Sequence, residues 1–277
     1  MKVRRPPLKF SQSLPHWAAN RAFAHAYNAA STTLPHLEPY LNLVMGKARD
    51  ALPADRQTLK DEIALFIGQE SNHYRLHRRY NEVLHRSYPG VPAFEAKLKA
   101  DYDDWLENRS LKFNVAYSEG FECLGIIYTE FFFERIDDLL AGADPDVAQL
   151  WRWHLAEEFE HRTVCYDAYK ALFGTGMDGG WLYRLYGFAT AFLHLGAYGN
   201  AVGAHLRAED ARTMSPAGRR AQQWQFVKLQ VRLGLFALPR LLRILSPFYN
   251  PAGIRTPRGS MELLGEIDRM QSASASA

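Results

Sequence analysis

Two glutamate–histidine pairs constrain this chain more than any other feature: Glu70-x-x-His73 and Glu158-x-x-His161. Residues three apart share one face of an α-helix, whereas in a strand they point to opposite faces. Each pair can therefore act as a unit only if it lies on a helix. Both sit in long stretches whose apolar residues recur at the helical period, where a buried charge needs a partner. A third match, Glu82-x-x-His85, falls about 120° round the helix from Glu70. Arg78, Arg79 and Arg86 lie beside it, so it reads as solvated surface.

The helical period dominates and period-2 runs are absent, so the fold class is all-α. The pattern predicts helices over residues 15–30 and 36–51, separated by a break at Ser31-Thr32-Thr33-Leu34-Pro35. Pro39 is expected in the first turn of the second of these. Further helices are expected over 55–87, 93–108, 111–140 and 144–173. The last opens on Asp144-Pro145-Asp146, a capping acid followed by a first-turn proline. Gly174-Thr175-Gly176 should end it. Helices over 181–207 and 216–245 follow, the latter kinked at Pro239. The organisation read from this is a helical bundle over 1–177 and apolar or basic helices over 178–270. The tail at 271–277 (QSASASA) is expected to be disordered.

A bundle that holds two metal ions draws one Glu from each of two helices and Glu-x-x-His from each of two others. The lone carboxylates here are Glu38, 32 residues before Glu70, and Glu122, 36 residues before Glu158. Glu119, one turn before Glu122 on nearly the same face, is its rival. Carboxylates offset the charge of two divalent ions, and carboxylate with imidazole suits iron or manganese, with zinc also accepted. His154 lies four residues before Glu158, within about a 100° arc that also holds His161. It is a candidate further ligand. His77, at i+4 from His73, is a candidate for approaching the metals or orienting a ligand. Glu157 and Glu160 leave the ligand face and read as structural. Cys165 reads as a small core residue. Tyr117, Tyr128, Thr129 and Tyr166 read mostly as core, with lining the site as the alternative.

The ligand order resembles the ferritin-like di-iron carboxylate superfamily. That resemblance implies a four-helix bundle with additional N- and C-terminal helices. Several strings also resemble the bacterial "predicted metal-dependent hydrolase" family: Pro35-His36-Leu37-Glu38, Phe66-Ile67-Gly68-Gln69-Glu70-Ser71-Asn72-His73, and Trp151 through His161 (WRWHLAEEFEH). That family often has His directly after the third-helix Glu, where this chain has Cys123. The extra His154 is similar to the p-aminobenzoate N-oxygenase family, which implies a third imidazole ligand. Together these resemblances imply two iron ions, held by Glu38, Glu70, His73, Glu122, His154, Glu158 and His161. They imply activation of O2 to oxidise a small organic substrate, with electrons from a redox partner protein. Hydrolysis by a metal-activated water is the alternative. A non-catalytic metal-binding bundle is the third reading.

The net charge of +3 is unevenly spread. Nine basic residues and no acidic one fall between Ala211 and Met261, which leaves 24 basic (33 minus nine) against 30 acidic residues elsewhere. That basic, apolar segment is a candidate for peripheral contact with an anionic membrane, with a docking or homodimer surface as the competing reading. Residues 185–204 are mostly apolar, but their four glycines also suit a packed core, the preferred reading. No nucleic-acid motif appears and the body is acidic, so nucleic-acid binding is not expected. Two cysteines and no apolar run after the basic N-terminus point to the cytoplasm.

Overall fold

The computed structural model describes residues 1–177 and 179–275, and every statement below concerns those residues. They form helices and no strand. The helices are α1 (Arg21–Ala51), α2 (Gln57–Ser87), α3 (Val91–Asn108), α4 (Leu111–Arg135), the single turn α5 (Asp137–Leu140), α6 (Pro145–His161), α7 (Val164–Phe173), α8 (Gly180–Ala211), α9 (Pro216–Ile244) and α10 (Ser260–Ala275). Helices α1, α2, α6 and α4 close a ring: α1 packs on α2, α2 on α6, α6 on α4, and α4 on α1. Helices α8 and α9 lie on α1 and α4, and α10 lies on α6. One apolar core runs from Leu8 to Ile267. It buries Trp153, Phe23, Phe66, Phe131 and Phe159 completely or nearly so.

The break expected at residues 31–35 does not occur: α1 is continuous, with Pro35 and Pro39 both in its interior. Proline at a helix interior position removes the hydrogen bond to the carbonyl four residues back. For Pro35 that carbonyl belongs to Ser31, and Asn81 Nδ2 on α2 donates to it at 2.9 Å. The lost bond is thus replaced from a neighbouring helix. Helix α1 also starts later than expected, where Asn20 caps Phe23 N at 3.0 Å. The expected helix over 111–140 divides at Ile136, which leaves helical geometry, and that over 144–173 divides at Arg162 and Thr163, which keep near-helical backbone angles. Asp144 caps α6 as expected, accepting from Asp146 N and Val147 N. Gly174 ends α7 with a φ of 72°, which a side chain would resist. Helix α9 runs through Pro239. The tail expected to be disordered from Gln271 instead continues α10 to Ala275, while Ser276 and Ala277 lie outside the described residues, as does Asp178 at the expected boundary.

The first twenty residues form no helix but are not peripheral. Val3 lies against Gly68 of α2, where a Cβ would come within 2.6 Å of it. Arg4 is only 3% exposed.

Candidate metal centre

The four ring helices bring seven ionisable side chains to one place in the core. Glu38 comes from α1, Glu70 and His73 from α2, Glu122 from α4, and His154, Glu158 and His161 from α6. None is more than 2% exposed. Ligand-capable atoms of Glu38, His73, His154 and Glu158 lie within 4.8 Å of one another, and so do those of Glu70, Glu158 and His161. Glu158 belongs to both groups. Its Oε1 is 3.7 Å from His73 Nδ1, 3.4 Å from His154 Nε2 and 3.7 Å from His161 Nε2. Glu70 also spans the two groups, 3.6 Å from His73 Nδ1 and 3.2 Å from His161 Nε2. Glu122 Oε2 lies 3.5 Å from His161 Nε2, and His154 Nδ1 lies 3.9 Å from Glu38 Oε1.

These atoms are close but not hydrogen-bonded. Both oxygens of Glu38, Glu70, Glu122 and Glu158 are buried without a partner, as are His73 Nδ1, His154 Nδ1 and His161 Nε2. A buried polar atom left unpaired costs about 1–3 kcal/mol, more when charged. Four carboxylates in one dry pocket also repel. Burial and then the charge of Glu70 push the Glu38 carboxyl well up, and burial and then Glu158 push Glu122 well up and raise Glu70. Burial would also raise Glu158, but His161, His154 and His73 outweigh it and hold it at about 2. Orphaned oxygens and nitrogens converging on shared points are what a carboxylate–imidazole cation site presents, so the residues fit two divalent ions.

The outer nitrogens of two histidines are fully engaged. His73 Nε2 donates to Glu157 at 2.9 Å, and Glu157 is ion-paired to Arg4 at 3.0 Å. His161 Nδ1 lies 3.0 Å from Gln69 Oε1. The Gln69 amide nitrogen donates to Glu160 at 2.7 Å, so its oxygen must accept from His161. In both cases an imidazole that bound a cation would keep its proton on the far nitrogen and turn its other nitrogen to the cluster. The arrangement is reciprocal. The residue before each motif's Glu, Gln69 on α2 and Glu157 on α6, holds the other motif's histidine. Glu157 therefore does more than support the helix. Gly125 provides space: a Cβ there would lie 2.7 Å from Glu158 Oε2.

The remaining candidates fall elsewhere. Glu119 points away from the cluster to an ion pair with Arg184 at 2.9 Å and accepts from Cys123 Sγ at 3.1 Å. His77 Nδ1 bonds Ser31 Oγ at 2.8 Å, and its ring packs 4.9 Å from that of His154. Ser31 Oγ in turn donates to Asn81 Oδ1, so His77 must be the donor in that pair, leaving Nε2 unprotonated. Tyr117 bonds Tyr102 and His194, Tyr166 bonds the Tyr249 carbonyl, and Thr129 bonds the Gly125 and Leu155 carbonyls. Tyr128 is partly exposed, Cys165 is buried core, and His85 pairs with Glu95 near the surface. The sequence reading did not find Arg4, Gln69 or Gly125. The signal available was the hydrogen-bonding residue directly before the Glu of both motifs.

Fold and site together define an all-helical protein with a buried, carboxylate-rich cluster suited to metal. The chain belongs to the predicted metal-dependent hydrolase family, which it matches over residues 2–254. No curated protein and no solved structure matches it.

Proposed function

We propose that this protein is a metal-dependent hydrolase using two cations. Glu38, His73 and His154 would hold one, and Glu70, Glu122 and His161 the other, with Glu158 shared between them. The observation that carries the reading is the pair of overlapping ligand groups joined at Glu158, in a chain whose family is described as metal-dependent. Two bound divalent ions would supply a water acidified to near neutral pH and polarise a substrate oxygen. The protein's own residues then do three things. Gln69 and Glu157 fix the imidazole tautomers. Phe66, Trp151 and Trp153 pack on His161, His77 and His73 and keep bulk water out. His77 keeps its proton on Nδ1, towards Ser31, and packs its ring against His154, which fixes the position of that imidazole.

A second reading, O2 activation at two irons, is favoured by one observation. The donor set is four carboxylates and three imidazoles from four helices, with no sulfur, which is the ligand pattern of di-iron bundles. Metal analysis of anaerobically purified protein, followed by assays with ester, amide and phosphoester panels in the presence and absence of O2, separates the two. Turnover that is indifferent to O2 and reductant supports hydrolysis. Two irons with an O2-dependent optical band and no hydrolysis overturn it in favour of oxidation. Glu70→Ala and His161→Ala variants that keep full activity would sink both.

A further inference from the structure

Helix α9 is apolar on two opposite sides. One side packs inward through Leu229, Phe236 and Ile244. The other carries Trp224, Val227, Val231, Leu235, Leu238 and Leu242, spaced three or four apart so that they form one row along the helix. This row covers about 27 Å of helix, and each of its members is at least 37% exposed. Leu245 continues it, and Phe248, just past the helix end, is 90% exposed. Helix α8, which packs beside α9, adds the exposed Leu182, Tyr186 and Leu193. Single exposed apolar residues are ordinary, but a continuous row of this length marks a contact surface.

The charges say what kind of surface. Arg220 begins the same row, one turn before Trp224. Arg207, Arg219 and Arg220 line a cleft between the end of α8 and the start of α9, and none of them has a carboxylate partner. Lys228 is exposed beside the row, over the Trp224 ring. No acidic residue occurs from Ala211 to Met261. A second copy of the chain would bring like charges together. No described helix is long and apolar enough to cross a membrane.

We propose that the outer face of α8 and α9 docks on an anionic lipid bilayer, with the α9 row in the acyl boundary and the three-arginine cleft taking a phosphate-bearing headgroup. An interfacial helix combines these features: an apolar row with Trp and Phe, and basic residues beside it. The attraction to anionic lipid is electrostatic and so falls with salt.

The test is flotation of the full chain with vesicles of phosphatidylcholine alone and of phosphatidylcholine mixed with phosphatidylserine, alongside light scattering of the free protein. The expected result is binding to the mixed vesicles that weakens with salt and drops at least about tenfold in Leu235→Glu/Leu242→Glu. An Arg207→Gln/Arg220→Gln variant should lose its preference for mixed over neutral vesicles. Both variants alter exposed or cleft side chains, and an unchanged circular dichroism spectrum shows that they fold. Absent vesicle binding, equal binding to neutral vesicles, or a dimer that the leucine variant dissociates without any vesicle binding would each overturn the proposal.

Discussion

At the scale of single residues, the proposed centre depends on side chains that do not belong to the seven-residue cluster. Gln69→Ala or Glu157→Gln frees an imidazole to take the wrong tautomer, and should weaken divalent-ion affinity about 10–100-fold in a competition titration. Gly125→Ala sets a methyl 2.7 Å from Glu158 Oε2 and should lower metal stoichiometry while leaving the fold intact. Protons substitute for metal in the apo protein. The raised carboxyls of Glu38, Glu70 and Glu122 hold protons that the unfolded chain releases above about pH 4.3. The stability they contribute is therefore full below that pH and is lost as pH rises through their folded values. His154, lowered by burial and by His73, runs the other way, its contribution present above about pH 6.5 and lost on acidification. The rise in Tm on adding divalent metal to chelator-treated protein should thus grow from about pH 6 to about pH 8. A rise that shrinks over that range contradicts the ligand assignment. Glu70 with His73, and His154 with Glu158 and His161, were legible because local spacing puts each set on one helical face, whereas Glu38 and Glu122 followed from the order of the helices and from the resemblance. Gln69 and Glu157 were not legible, because each acts on the other helix's histidine, and that pairing exists only once α2 and α6 are side by side.

At the scale of elements, α1 shows where a local rule yields to tertiary structure. Pro35 predicts a break, and locally the reasoning is sound, since the Ser31 carbonyl loses its own helix's donor. Asn81 restores a donor from across the interface, while Thr32 and Thr33 hydroxyls bond the Ala29 carbonyl. A single long helix results, and it carries Glu38 to the centre. Asn81→Leu should therefore destabilise the protein by about 1–3 kcal/mol in urea unfolding, the penalty of a buried unpaired carbonyl. A loss near zero would mean that the helix tolerates Pro35 unaided. The long apolar helices, the Asp144 cap and the glycine stop after α7 were readable from pattern alone. The breaks at Ile136 and Arg162 were not, since the apolar period continues across both.

At the scale of the whole molecule, one buried arginine ties distant parts together. Arg4 bonds Glu157 and Glu160 on α6 and Asp268 on α10. Removing it leaves the buried Glu157 with His73 as its remaining partner, so Arg4→Met should cost about 3–5 kcal/mol in urea unfolding and weaken metal binding with it. Asp268 is the most exposed of the three carboxylates, and Asp268→Asn should cost no more than about 1 kcal/mol. Equal costs would show that Arg4 matters only for holding α10. The Arg4 contacts have a further consequence in time. A ribosome releases the seven proposed ligand residues in order from Glu38 to His161, and all are made before α8 begins. Yet the clamp that steadies Glu157, and through it His73, closes fully only when Asp268 emerges. At about 5–20 residues per second, a nascent chain would spend several seconds with every ligand present and that clamp still open. Metal captured during synthesis would meet a site whose Arg4 clamp still lacks one of its three carboxylates.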